Sequence, residues 1–476
     1  MITKRSLGLF NHAAANVPAY ADFLKERKIE PGSIKTTRDF KHVPITSKKN
    51  YLQQYPMPEL LWRGDLGRPL IFCSTSGSTG MPYYFARDEK LSWQYSWLVE
   101  DFLKHGQGTK QKPVLVILAF GMGVWIGGII TLRAFEIALK RMDYPASILP
   151  TGYNKAEVIK ALERLSPQFG QTIIIGYPPF VKEIVDEAVR RQIDLKKLKT
   201  RLIFAAESFS ENFRDYLCKK TGANPLFDTL NIYGTADIGA MAYETPMSIF
   251  IRRQSVDNPT LFKNIFGQIG MTPTLAQYNP RFVEFEAVDG EVVLSGNSAV
   301  PLIRYAIGDH GGVMGYKAMS RAFRKSGLSL EKELSRAGLG SESKTKPFVF
   351  VYERSNFAVS LVGMIIYPEY IKETLLAPEL SPYFTGKFTM ITRFDKQHNQ
   401  YLEVNVELQD EVKTSPRLRA LAKKAIRQSL NEKSSEFAEV SKTQDTRKLL
   451  KLVFWPQNHP RYFATGVKQK WVVQDS

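Results

Sequence analysis

Four apolar, strand-like runs separated by helical stretches leave few folds open to this chain. Val114-Leu115-Val116-Ile117-Leu118-Ala119 is apolar at every position, and similar runs lie at 171–175, at 202–206 and up to Tyr233. Helical patterns fill the intervals at 127–141, 179–191 and 210–221. A strand that is apolar throughout is buried on both faces, and alternation with helices places it in a largely parallel, doubly covered sheet. The fold class is therefore α/β. Residues 1–62 read as helices with short loops. Residues 88–105 carry Trp93 and Trp97 at helical spacing, an expected core stripe. At 282–294 the pattern changes to a hairpin turning on Asp289-Gly290. Two charged surface helices, loosely joined, are expected over 316–346.

A second unit is expected beyond this. It comprises a helix at 368–376, strands at 387–393 and 401–408, a helix at 416–430 and a last strand at 450–454. The boundary falls at 353, giving units 1–352 and 353–476. A chain of 476 residues is long enough for two or more domains.

No run of about 18 apolar residues and no secretory leader are found, so no membrane span and a cytoplasmic location are expected. Two cysteines, Cys73 and Cys218, argue against a Cys-rich zinc site or a disulfide framework. The net charge is +18, with basic residues concentrated at 317–346 and 413–451. Such a surface attracts polyanions, although a solvated basic face accounts for it equally well. No nucleic-acid motif accompanies it, so no specific nucleic-acid partner is expected.

Chemistry enters at Cys73-Ser74-Thr75-Ser76-Gly77-Ser78-Thr79-Gly80-Met81-Pro82. Five hydroxyl side chains and two glycines follow an apolar run. Glycine backbone can approach a ligand closely, and N–H and O–H donors converge on phosphate oxygens. No Gly-Lys-Ser/Thr closes the loop, so it is not the common nucleotide P-loop. A flexible Ser/Gly linker is the plain alternative.

Two further clusters end apolar runs in a glycine and an acid. They are Asn231-Ile232-Tyr233-Gly234-Thr235-Ala236-Asp237 and Pro301-Leu302-Ile303-Arg304-Tyr305-Ala306-Ile307-Gly308-Asp309. An acid at a strand's carboxyl end faces the ligand crevice of an open sheet and can hold Mg²⁺ or ribose hydroxyls. A helix cap or an Asx turn would use the same residues. Arg354-Ser355-Asn356 and the later Thr465-Gly466-Val467-Lys468-Gln469-Lys470 are weaker signals taken alone.

The order of these segments resembles the adenylate-forming enzymes, and within them the phenylacetate–CoA ligase branch and its capsule-biosynthesis-related relatives. Asn16-Val17-Pro18-Ala19-Tyr20, Phe120-Gly121-Met122-Gly123-Val124-Trp125, Ile203-Phe204-Ala205-Ala206-Glu207-Ser208 and Pro301-Leu302-Ile303-Arg304-Tyr305 carry the likeness. It spans nearly the whole chain.

The resemblance implies a large multi-sheet N-terminal domain and a small mobile α+β C-terminal domain. It implies ATP- and Mg²⁺-dependent activation of a small-molecule carboxylic acid as its acyl-adenylate, then transfer to coenzyme A, with no zinc. Transfer to an amine, a sugar or a carrier protein, or a non-catalytic nucleotide-binding role, are the alternatives. By position, Thr75, Ser76, Gly77, Ser78, Thr79 and Gly80 would hold the ATP phosphates. Ala206, Glu207, Ser208 and Tyr233 would frame the adenine, and Asp309 with Arg354 would take the ribose. Asp237 would hold the metal, and Asn356 would be the hinge. Lys468, with Lys470 competing, would serve catalysis. Phe120, Val124, Trp125, Tyr177 and Pro178 would line the acyl pocket. Asp237 stands in place of the usual glutamate, and Asn356 in place of an aspartate.

Overall fold

The computed structural model describes residues 3–472 except 75–82, 107, 124–125, 207, 268–271, 343–344, 353–358, 362–363, 396–399, 435–436, 439–440, 442–445 and 465–470. A twelve-stranded sheet organises the molecule. From one edge, Ala146–Pro150, Val114–Ala119, Gln171–Gly176, Arg201–Ala205 and Thr229–Thr235 run parallel. The path continues antiparallel through Gly239–Tyr243, Thr274–Gln277, Phe348–Val351, Leu302–Met314, Glu291–Gly296 and Val283–Val288. Thr46–Ser47 pairs in parallel with Leu302–Met314. The expected α/β class holds.

The strand period of two builds both helical layers. Val114, Val116 and Leu118 pack with the Glu89–Leu103 and Ile126–Met142 helices. Leu115, Ile117 and Ala119 pack with Lys155–Arg164, Pro178–Arg190 and Glu211–Thr221. Each such Leu or Ile is fully buried, worth about 1.5–3 kcal/mol relative to exposure.

Trp93 and Trp97 depart from the core expectation, being 42% and 39% exposed. The buried stripe of their helix is Leu91, Tyr95, Leu98 and Phe102. The tryptophans pack edge-on to each other at 5.9 Å, with the Arg141 guanidinium 4.5 Å from the Trp97 ring. The spacing was helical, but the phase was wrong.

The Asp289-Gly290 turn forms as expected, with φ of 51° and 80° suiting a two-residue primed turn. The strand Leu302–Met314 bends at Gly308, where φ is 82°. Its first half pairs with Glu291–Gly296 and its second with Phe348–Val351. The charged insert is less loose than expected. Helices Tyr316–Lys325 and Leu330–Arg336 bury Met319, Phe323 and Leu334 against Leu261 and Ile265.

From Val359 onward the chain has a hydrophobic cluster of its own. Helices Pro368–Leu376 and Pro416–Lys433 contribute to it, with the sheet Phe384–Phe394, Gln400–Leu408 and Leu450–Trp455. This unit meets the layer beside the large sheet through Leu376, which packs against the cluster containing Phe180 and Phe213, and through two cations. Lys387 pairs with Glu183 of the Pro178–Arg190 helix, and Lys372 Nζ donates to the Ser208 carbonyl at 3.2 Å. Among the described residues, no helix is long and apolar enough to cross a membrane.

Candidate active site

Parallel strands all end on one edge of their sheet, and four neighbouring ends carry the residues picked from the sequence. Phe120 follows Val114–Ala119, Tyr177 and Pro178 follow Gln171–Gly176, and Ala206 and Ser208 follow Arg201–Ala205. Tyr233 lies within Thr229–Thr235, with Asp237 just beyond it. Ligands of open α/β sheets sit in the crevice outside these carboxyl ends.

Two carboxylates and two phenols interlock here. Tyr233 Oη donates to Asp309 Oδ2 at 2.7 Å, and Tyr305 Oη donates to Asp237 Oδ2 at 3.0 Å. The turn after Tyr233 thus exchanges partners with the strand Leu302–Met314. Gly234 permits this turn, since a Cβ there would lie 2.7 Å from the Gly239 carbonyl oxygen. Asp309 and Tyr305 are buried, while Tyr233 and Asp237 are half-buried.

Arg87 holds the same turn from below. It is fully buried, and its Nη1 donates to the Asp237 carbonyl at 2.8 Å. Burial pulls its pKa down to about 10, against the opposing pull of Cys73 and Asp237, so it remains a cation at neutral pH. It belongs to the strand Tyr84–Arg87, paired antiparallel with Ile71–Ser74. This hairpin brackets the hydroxyl-rich loop. Tyr83, at its edge, donates to the Leu52 carbonyl at 2.7 Å. Burial, and then the Asp237 charge, push the Tyr83 phenol up to about 12.

Deeper still lies a buried ion network. Arg214 Nη2 donates to both oxygens of Glu244 at 2.8 Å, its Nε to Glu211 at 2.9 Å and its Nη1 to Thr229 at 2.6 Å. Arg252 also pairs with Glu211, and it donates to the Phe209 carbonyl at 2.6 Å. Glu244 Oε2 accepts from the Asn231 N–H at 2.8 Å. The network therefore fixes both the Ser208–Phe209 segment and the strand bearing Tyr233.

At the other end of the row the walls are aromatic. Phe120 meets Tyr177 edge-on at 5.1 Å, and Tyr177 stacks on Tyr153 at 5.7 Å. Pro178 opens its helix, a position where the missing N–H costs nothing. Ala206 is exposed and takes a positive φ of 74°.

Thr75, Ser76, Gly77, Ser78, Thr79, Gly80, Val124, Trp125, Glu207, Arg354, Asn356, Lys468 and Lys470 lie outside the described residues. A separate cavity of about 340 Å³ opens beside the Lys4–Asn16 helix, lined in part by Arg5, His12, Phe282 and Glu284. Its acid is already engaged, since Ser6 Oγ donates to Glu284 at 2.5 Å.

Sequence reasoning passed over Tyr305, Arg87, Arg214 and Lys372. Tyr305 had a usable signal, because it ends the same apolar run that leads to Asp309. Arg214 had only Glu211 three residues before it, since its Glu244 lies 30 residues away, and Arg87 and Lys372 donate to carbonyls 150 and 164 residues away.

The crystal structure of 2-hydroxyisobutyryl-CoA ligase in its postadenylation state superposes over 99% of this chain and 89% of its own, with a TM-score of 0.65 at 16% identity. The fold is that of the adenylate-forming ligases. The same enzyme in its thioesterification state aligns with a TM-score of 0.52 at 17% identity. In sequence, the chain is 25% identical over 301 residues to a phenylacetate–coenzyme A ligase of Pseudomonas putida, matching 63% of this chain and 62% of that enzyme. The corresponding ligase of Aromatoleum evansii is 21% identical over 405 residues, 84% of this chain and 79% of that one. No family model matches the chain.

Proposed function

We propose that this protein activates a carboxylic acid with ATP as the acyl-adenylate and passes the acyl group to coenzyme A. One observation carries the reading. The carboxyl ends of four adjacent parallel strands bear, in order, an aromatic wall, the Ala206–Ser208 segment and the interlocked Tyr233–Asp309 and Asp237–Tyr305 pairs. The similarity to phenylacetate–coenzyme A ligases supports it.

In this reading the acid enters along Phe120 and Tyr177, with Val124, Trp125 and Pro178 completing the wall. The nucleoside lies across Ala206, Glu207, Ser208 and Tyr233. Asp309 accepts ribose hydroxyls beside Arg354, its carboxylate already oriented by the Tyr233 bond. Donors from Thr75 to Gly80 meet the phosphates. Attack of a carboxylate on the α-phosphate brings two anions together, and fixed donors and a lysine ammonium, from Lys468 or Lys470, offset that repulsion. A single donor of this kind is worth about 3–4 kcal/mol.

Mg²⁺ fits the residues present. Asp237 offers one carboxylate, and Mg²⁺ with a nucleotide takes most of its shell from phosphates and water. Bound there, the ion would neutralise phosphate charge. The acyl-adenylate needs shielding from water, and the unit 353–476, hinged at Asn356, would supply it.

Pyrophosphate exchange into ATP, run with a panel of aliphatic and aromatic acids and followed by mass detection of acyl-CoA, tests the proposal. Exchange that depends on one acid class, with a thioester formed on adding coenzyme A, is expected. No exchange with any acid would overturn it, and exchange without thioester would overturn the second half alone.

A further inference from the structure

We propose that Tyr305 is a positioning residue that sets the orientation of the Asp237 carboxylate toward a divalent cation. The inference rests on the function proposed above. Tyr305 is 0% exposed and lies in the strand Leu302–Met314, in register with Thr46 on one side and Leu294 on the other. Thr46 is itself fully buried, and its Oγ1 donates to the Ile303 carbonyl at 2.8 Å. The ring belongs to the largest body of packed apolar side chains, together with Val292, Leu294 and Leu302. A tyrosine has only two side-chain torsions, and close packing on all sides fixes both. Its hydroxyl is therefore held by the core, not by the turn it touches.

Asp237 is in the opposite situation. It sits half-buried in a turn, and its own backbone is tethered at two points. Arg87 Nη1 donates to its carbonyl at 2.8 Å, and its N–H donates to Thr235 Oγ1 at 3.3 Å. These bonds act on its backbone, whereas the 3.0 Å bond from Tyr305 acts on the carboxylate itself, at Oδ2. A hydrogen bond to one carboxylate oxygen fixes the direction in which the group presents itself. Outer-shell partners of this kind typically change metal affinity by about 10–100-fold.

Tyr305→Phe keeps the ring and removes only the donor. Manganese binding to the intact protein with a non-hydrolysable ATP analogue, followed by electron paramagnetic resonance, gives a readout independent of turnover. We expect Tyr305→Phe to weaken Mn²⁺ by about 10-fold, while metal-free nucleotide affinity stays within about twofold. The metal concentration giving half-maximal pyrophosphate exchange should rise in step, with the rate at saturating metal nearly unchanged.

The double variant is decisive. In Asp237→Asn, adding Tyr305→Phe should change Mn²⁺ affinity no further, whereas additive losses would overturn the inference. An unchanged Mn²⁺ affinity in Tyr305→Phe alongside a weakened Asp237→Asn would overturn it and leave the proposed function standing. An unchanged affinity in Asp237→Asn would remove Asp237 from the metal site, and Tyr305 with it. Near-ultraviolet circular dichroism of each variant separates these outcomes from loss of fold.

Discussion

Beneath the Tyr233 turn, Arg214, Glu211, Glu244 and Arg252 neutralise one another inside a single packed layer. At the seam with the C-terminal unit, Lys387 lies between two acids, Glu183 across the seam and Glu407 on its own unit. The first cluster sets three cations, Arg214, Arg252 and the half-buried Arg253, against Glu211 and Glu244, every partner fixed by the same sheet and helices. In the second, Lys387 serves two carboxylates contributed from both sides of a boundary, and Lys155 stands 3.7 Å from Glu183 on the large sheet's side. Breaking the first leaves charge in a place water cannot reach. Breaking the second lets the two sides part and hydrate. Buried charge can thus serve as permanent framework or as a reversible catch, and the difference lies in whether both partners belong to one packed body.

The sharpest way to break the contrast is Arg214→Leu. It strands the buried Glu244 and takes one of three guanidiniums from Glu211, and loss of one partner from such a cluster costs about 3–5 kcal/mol. Urea unfolding should show that loss as a lower midpoint. Pyrophosphate exchange should fall too, because Tyr233 and Phe209 hang from the same network. A change below about 1 kcal/mol would mean the cluster is not framework.

Lys387→Met should behave differently. It removes the charge-assisted bond across the seam, worth about 1.5–3 kcal/mol, but the freed acids regain water as the units separate. The expected signature is faster proteolytic cleavage between the units, with little shift in the melting of either. Lys372→Met is a milder version. It loses one bond to the Ser208 carbonyl, about 1 kcal/mol, together with the ammonium's place 4.6 Å from the Trp471 ring centre. Its effect should show as a raised KM for ATP with kcat little changed. Equal global destabilisation by Lys387→Met and Arg214→Leu would erase the distinction.

The two regions also differ in how far the sequence announces them. The parallel half of the sheet was readable because burial on both faces demands unbroken apolar runs, as at Val114–Ala119. The Asp289-Gly290 hairpin was readable because its turn needs two positive φ values. Tyr233 and Asp237 were legible as a phenol and an acid at a strand end, whereas Asp309 closes an apolar run but sits mid-strand, beside the bend at Gly308 in Leu302–Met314. The edge strand Ala146–Pro150 escaped, being half-exposed and broken by Ser147 and Pro150. Thr46–Ser47 escaped because two residues carry no period. Lys387 and Lys372 were invisible because a buried cation is explained by distant acids or carbonyls that no local pattern encodes, and Arg214 shows only an i,i+3 pair with Glu211, which reads the same on an exposed helix face. Trp93 and Trp97 mark the converse error, since aromatic identity suggested burial where helix phase decided otherwise.

The smallest expected effect, and the one that separates the regions by sign, is their response to acid. Burial alone would raise the Glu211 carboxyl, but the guanidiniums of Arg214 and Arg252 outweigh it and hold the group well below the usual carboxylate range. An acid depressed in the folded state contributes stability that is present above its unfolded value of about 4.5 and lost as pH falls below it. Glu407 runs the other way. Burial raises it, Lys387 opposes that, Glu183 adds to it, and the net direction is upward. The folded seam therefore keeps this proton at a pH where the unfolded chain has lost it. Its contribution is present below about 4.5 and disappears as pH rises through the folded value. On mild acidification from neutrality, protection of the seam against proteolysis should increase while the melting temperature of the large unit holds. Below about pH 4.5 that melting temperature should fall, because Glu211 of the unfolded chain takes up its proton before the folded one does. Glu407→Gln should abolish the first response and leave the second, and Glu211→Gln should do the reverse. A seam that loosens steadily from neutral pH downward would show that Glu183 and Lys387 act as an ordinary ion pair, with Glu407 a bystander.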